Sequence, residues 1–149
     1  MIIEPDGSPN QPAIPASHIP PTSIYTFAIV NQYIRMRINP TRLQQHFEEM
    51  SLIGKLGETG ICRPAHSALE KEAFELASKW MKTAGMTTRI DNFGNLIGRL
   101  EGRHPSDPVL MMGSHLDSQP YGGRYDGTAG VLCAIEVVTT LTEIGRAHV

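Results

Sequence analysis

A chain of 149 residues, 40% hydrophobic and 19% charged, holds at most one ordinary globular domain. A net charge of −2 gives no electrostatic footing on nucleic acid or on an anionic membrane. The two cysteines, Cys62 and Cys133, form neither a disulfide framework nor a Cys-x-x-Cys pair, and each reads as a reduced structural thiol.

Residues 1–22 are rich in proline, serine and asparagine without apolar periodicity, so they are expected to be disordered. The apolar patch Ile24–Val30 is far shorter than the about 20 residues that span a bilayer. No basic residue precedes it, which argues against a secretory signal. Asn39 and Pro40 then open a helix as N-cap and first-turn residue. Leu43, Phe47 and Met50 fall on its buried stripe, Glu48 and Glu49 lie off it, and His46 reads as a surface histidine. A glycine-rich segment follows, ending in Gly60-Ile-Cys-Arg63, and His66 beyond it reads as a loop residue.

Ser67-Ala-Leu-Glu70 is a capping-box pattern for a second helix. Ala73, Leu76, Ala77, Trp80, Met81 and Ala84 give that helix its buried face, and Gly85 ends it as a left-handed cap. Met86–Asp91 and Leu96–Leu100 read as strands of a hairpin around Asn92–Asn95, with Asp91 and Asn95 as turn formers. Residues 102–108 form a surface loop in which His104 is solvated. The apolar run Val109–Met112, bounded by Pro108 and Gly113, reads as a buried strand. Val131, Leu132, Ile135, Val138 and Leu141 recur at helical spacing. That last helix is apolar on nearly all sides and needs burial on more than one face.

Between that strand and that helix lies Gly113–Gly130, with the triplet His115-Leu116-Asp117 and a second carboxylate, Asp126, eleven positions after the histidine. Loops at the carboxyl edge of an open α/β sheet are where ligands bind. A neutral imidazole is the commonest protein metal ligand, and a carboxylate behind its other nitrogen fixes the tautomer and raises basicity. Residues two apart on extended chain point the same way, so Asp117 reaches His115 in that role. The loop's glycines let Asp126 fold back to the same point. A carboxylate has two oxygens and can bridge two metals roughly 3.5–4 Å apart.

The whole string GSHLDSQPYGGRYDGTAGVL resembles the metal-site signature of the zinc-dependent aminoacylase and carboxypeptidase superfamily. More narrowly it resembles the amidase/hydantoinase/carbamoylase branch, which includes N-carbamoyl-L-amino-acid hydrolases, β-ureidopropionases and allantoate amidohydrolases. The carboxypeptidase branch carries a longer insert before its bridging aspartate. The resemblance implies an α/β fold, the N-terminal part of a three-layer α/β/α zinc-hydrolase catalytic domain with a mixed sheet. It implies that His115 binds one of two divalent metal ions, that Asp126 bridges both, and that Asp117 is the catalytic-site residue orienting His115. Zinc is the expected ion, with manganese or cobalt as alternatives for a mixed N/O site.

The resemblance begins near Met36, with MRINPTRLQQHFEEMSLIGKLG, and takes in RIDNFGNLIGRLEG. Three segments follow: residues 1–35 as a disordered leader or an over-called start, 36–142 as part of the catalytic domain, and 143–149 as a non-native tail. The tail, EIGRAHV, resembles a translated sequencing adapter, and the native gene is expected to continue past Thr142. The family places a segment comparable to that ending in Arg63 near its active site, which leaves two readings for Arg63: a partner for a substrate carboxylate, or a structural salt-bridge residue. Glu136 lies nine positions beyond Gly127, about 13 Å along a helix, too far to serve as a ligand. The family's general-base glutamate and its remaining ligands fall outside the chain, and His148 matches none of them.

The activity implied is hydrolysis of a linear, non-peptide C–N bond in an N-carbamoyl amino acid or ureido acid, by water activated at a dinuclear centre. Ser118-Gln119-Pro120 leans towards the β-ureidopropionase-like members. A small-molecule substrate, a homodimeric full-length parent, a cytoplasmic setting, and no nucleic-acid or membrane partner complete the expectation. Two other readings stand beside it: a non-catalytic, metal-binding or interacting fragment, and an aminoacylase or peptidase of the same superfamily.

Overall fold

The computed structural model describes residues 37–102, 104 and 108–145. The expected leader at 1–35 and His148 lie outside them. Among the described residues, three helices and five short strands follow in chain order: α1 (Pro40–Leu52), β1 (Lys55–Leu56), β2 (Gly60–Ile61), α2 (Ala68–Thr83), β3 (Thr87–Ile90), β4 (Leu96–Arg99), β5 (Gly122–Gly123) and α3 (Thr128–Glu143).

Local chemistry accounts for most of these boundaries. The Asn39 side chain accepts from Arg42 N at 3.1 Å and Pro40 takes the first turn of α1, a cap worth about 1 kcal/mol. Ser67 Oγ accepts from Glu70 N at 3.2 Å at the head of α2. The reciprocal arm of that capping box is displaced by one residue. Glu70 Oε2 accepts from His66 N at 2.5 Å, with His66 in the left-handed region at φ 60°. Past α2, Gly85 turns left-handed at φ 88°. Asp91 closes the β3–β4 hairpin by accepting from Phe93 N and Asn95 N, each at 2.9 Å, and from Asn95 Nδ2 at 3.0 Å.

The strands form two small antiparallel sheets, β1-β2-β5 and β3-β4. In the first, Gly60 pairs with Gly123 and Ile61 with Gly122, so the loop carrying the candidate metal ligands is stitched to the glycine-rich segment after α1. The second runs in register from Thr87 opposite Arg99 to Ile90 opposite Leu96.

Met50 and Ile53 at the end of α1, Ala73, Ala77 and Trp80 of α2, Leu116 of the loop, and Val131, Leu132 and Ile135 of α3 form one buried cluster. Each large member contributes roughly 1.5–3 kcal/mol by burial. α1 is also bound to α3 through charge. Glu136, wholly buried, accepts from Arg42 Nε at 2.7 Å, Arg42 Nη2 at 2.9 Å and Asn39 N at 2.6 Å, and Arg42 reaches on to Glu143 at 2.5 Å. Glu143, assigned to a non-native tail, thus closes α3 and makes an ion pair with Arg42.

Three expectations are corrected. His46 is half-buried rather than on the surface. Its ring stacks on Trp80 with centroids 4.0 Å apart, its Nδ1 is buried without a hydrogen-bond partner, and burial holds its pKa below the ordinary value. Periodicity placed it one step off the apolar stripe, but the flat indole accepts another ring. Val109–Met112 forms no strand. Its side chains are exposed, Leu110 by 82% and Met111 by 86%, because no described strand lies alongside to complete a ladder and bury the run. Finally, α3 buries only part of its circumference: Val131, Leu132, Ile135, Glu136 and Thr140 face inward, while Cys133 and Val137 are exposed.

Candidate metal centre

His115, Leu116 and Asp117 lie on irregular chain after the exposed run, with Leu116 buried between two solvent-reachable polar residues. This alternation follows from extended backbone: one side chain goes to the core and its neighbours come out on the other side. The chain then crosses β5, and a turn in which Asp126 N donates to Gly123 O at 3.1 Å brings it back. Asp126 ends that turn just before Gly127, the N-cap of α3, so its carboxylate sits by the positive end of a helix.

The side chains converge. His115 Nδ1 lies 3.2 Å from Asp117 Oδ1 and 3.0 Å from the Asp117 carbonyl oxygen. Its other nitrogen, Nε2, faces Asp126 Oδ1 at 4.0 Å. With Nδ1 engaged by Asp117, the lone pair belongs on Nε2, the nitrogen turned towards Asp126. Metal–nitrogen and metal–oxygen bonds of about 2.1 Å each put two donors about 3.4 Å apart at a tetrahedral angle and at most about 4.2 Å apart. The gap between His115 and Asp126 is therefore of a size one divalent ion can bridge after slight closure.

Gly127 makes this arrangement possible. It adopts φ 65°, where a Cβ is strained, and a Cβ built there would stand 2.5 Å from Nδ1 and from Nε2 of His115. The imidazole lies flat in the space a side chain would fill. The donor set accordingly fits half of a metal site. Among the described residues, no group of three or more His, Cys, Asp or Glu side chains gathers around one point.

Arg63 meets neither of the two expectations held for it. It is wholly buried, away from any incoming carboxylate, and its guanidinium donates to neutral oxygens: Leu116 O, Met50 O, Ile53 O and Thr128 Oγ1. Burial lowers its pKa, an effect opposed by the charge of Asp117. Glu136, declined as a ligand, is committed to Arg42 instead. The sequence reading missed that pair because its members are 94 residues apart. Thr128, buried, went unremarked, and Ser118, also buried, stood out only as part of Ser118-Gln119-Pro120 and not as a loop anchor; a hydroxyl on each flank of a glycine-rich loop was the hint.

No protein-family model matches the chain. Individual relatives do. It is 47% identical over 111 residues to an N-carbamoyl-L-amino-acid amidohydrolase of Pseudomonas sp. (strain NS671), a match covering 74% of this chain and 27% of that protein. It is 32% identical over 119 residues to a ureidoglycolate hydrolase of Arabidopsis thaliana, covering 80% of this chain and 25% of that one. Its structure superposes on a hydantoinase/carbamoylase family amidase from Burkholderia ambifaria with a TM-score of 0.71 at 38% identity, covering 74% of this chain and 27% of the other. The chain belongs to the hydantoinase/carbamoylase family of amidases. It spans about a quarter of the length of the relatives it matches, and its mixed α/β arrangement of helices and antiparallel strands is shared with that part of the family's solved structures. Among the described residues no helix is long and apolar enough to cross a membrane.

Proposed function

We propose that this chain is part of an amidohydrolase that cleaves a linear C–N bond in an N-carbamoyl amino acid or ureido acid, with two divalent ions, zinc by first choice, held partly by this loop. The observation that carries the reading is the disposition of His115. Its Nδ1 is tied to Asp117, and its Nε2 looks across the face of Gly127 to Asp126, in a chain 47% identical to a carbamoyl-amino-acid amidohydrolase. When bound, such ions polarise a carbonyl and lower the pKa of water. His115 would hold one of them through Nε2, Asp126 would offer its two oxygens to both, and Asp117 would fix the imidazole tautomer and orientation. The exposed position of Asp126 leaves it accessible to a second ion and to ligands from outside this chain.

The remainder of the reading is a small-molecule substrate of the carbamoyl or β-ureido kind, a cytoplasmic setting, a homodimeric full-length parent, and no nucleic-acid or membrane partner. A second reading applies to the chain by itself. With one imidazole and its facing carboxylate in the candidate site among the described residues, the 149-residue chain by itself is a non-catalytic, weakly metal-binding piece.

The test is a zinc-supplemented assay of ammonia release from N-carbamoyl-L-amino acids and N-carbamoyl-β-alanine. It compares this chain with a version extended to the full length of its relatives. Activity in the extended protein, abolished by chelation and by His115→Ala, is the expected result. An extended protein that hydrolyses neither substrate, or that is indifferent to chelation, overturns the first reading; turnover by the 149-residue chain overturns the second.

A further inference from the structure

We propose that Arg63 is a positioning residue for the metal loop, gripping the chain on both flanks of His115 and Asp126 so that the two face each other. The inference rests on the metal reading above. Arg63 Nε donates to Leu116 O at 2.5 Å, and Leu116 is the residue between His115 and Asp117. Its Nη2 donates to Thr128 Oγ1 at 3.3 Å, two residues beyond Asp126 at the start of α3. Its Nη1 donates to Met50 O at 3.1 Å and to Ile53 O at 3.0 Å, at the end of α1. One planar group thus bolts both flanks of the loop to the same helix terminus, whose carbonyls carry the negative end of the helix dipole.

The backbone of Arg63 adds a second grip. Ser118 N donates to Arg63 O at 2.7 Å, and Arg63 N donates to Ser118 Oγ at 2.9 Å. A residue needed only to fill this volume would be apolar, because burying a guanidinium among neutral oxygens is costly and a hydrophobic side chain of similar size is often as stable or more so. The geometry needs a rigid fork with more donors than an ammonium has. Arginine carries five N–H groups and lysine three.

The experiment uses the 149-residue chain and its Arg63→Lys and Thr128→Val variants. The state of the His115 ring is followed by nitrogen-15 NMR for the tautomer, by NOEs from the ring to the Gly127 α-protons, and by titration with zinc chloride. Far-UV circular dichroism and the amide shifts of the β3–β4 hairpin report whether the fold is kept. The expected result for Arg63→Lys is a kept fold with a mixed tautomer, weakened NOEs to Gly127 and a zinc half-saturation raised about tenfold or more. Thr128→Val keeps the arginine and nearly the same shape; it should weaken the NOEs and the zinc response, and it carries the test if Arg63→Lys does not fold. A folded variant with the parent's tautomer and ring–Gly127 NOEs overturns the proposal. Zinc that leaves His115 of the unmodified chain unmoved sinks the metal reading instead, and the tautomer and NOE comparison still decides the role of Arg63.

Discussion

At the scale of single residues, the candidate centre depends on an atom that is missing by design of the sequence: the Cβ of position 127. Gly127 lies at φ 65° and ψ −49°, a strained γ-turn closed by Thr128 N donating to Asp126 O at 2.6 Å, and a Cβ there would also collide with the ring of His115. Gly127→Ala is therefore expected to lower stability by about 1–3 kcal/mol and to swing the imidazole away from Asp126. Gly123→Ala is the control, since a Cβ there meets nothing within 4 Å. Thermal unfolding and the zinc-induced shift of the His115 ring nitrogens check this. Equal responses in the two variants would show that the ring does not need the space over Gly127. The sequence made His115, Asp117 and Asp126 conspicuous because a ligand type at a fixed spacing is a local pattern. It could not reveal that Arg63 turns inward, because an arginine beside Ile61 and Cys62 looks the same whether it meets a substrate or four backbone and hydroxyl oxygens.

At the scale of elements, α1 and α3 are held together by the ion pair of Arg42 with Glu136, whose carboxylate is wholly buried. Burial pushes the Glu136 pKa up, but the hydrogen bonds from Arg42, Asn39 N and Thr140 outweigh it, and the net shift is below the ordinary value of 4.5. A carboxylate depressed in the folded state binds protons more readily in the unfolded state. Its stabilisation is complete above about pH 4.5 and is lost as pH falls through the depressed folded value. Glu136→Gln removes the charge, keeps the shape and leaves Arg42 with only the exposed Glu143; the expected cost at neutral pH is about 3 kcal/mol. Urea unfolding between pH 7 and pH 3 should show the variant weaker at neutral pH and closer to the parent in acid. A constant difference across that range would mean the carboxylate's charge is not what binds the two helices. Helix starts were legible because Asn39-Pro40 and Ser67 carry their own capping chemistry within a few residues. The Arg42–Glu136 pair was not, and neither was the fate of Val109–Met112. Whether an apolar run becomes a strand is decided by what lies beside it, and periodicity carries no information about neighbours.

At the scale of the whole molecule, the exposed apolar run governs behaviour in solution. The chain spans 27% of its carbamoyl-amidohydrolase relative. It displays Val109, Leu110, Met111 and Met112 in a row, with Cys133 and Val137 on the outer side of α3. A run of apolar side chains on backbone outside any sheet is a template for pairing with another chain. Leu110→Lys combined with Met111→Lys places two charges on the two most exposed positions of the run without touching the buried cluster. The double variant is expected to stay monomeric at concentrations where the parent scatters light, with the same unfolding temperature, because neither side chain contributes burial. Amide exchange supplies the internal check: residues 109–112 should exchange far faster than Leu132 and Ile135 in α3 of the parent. Slow exchange at 109–112 in dilute parent protein would place the run in a ladder after all. Unchanged scattering in the double variant would move the source of association to the exposed side of α3, where Val137→Lys tests it in turn.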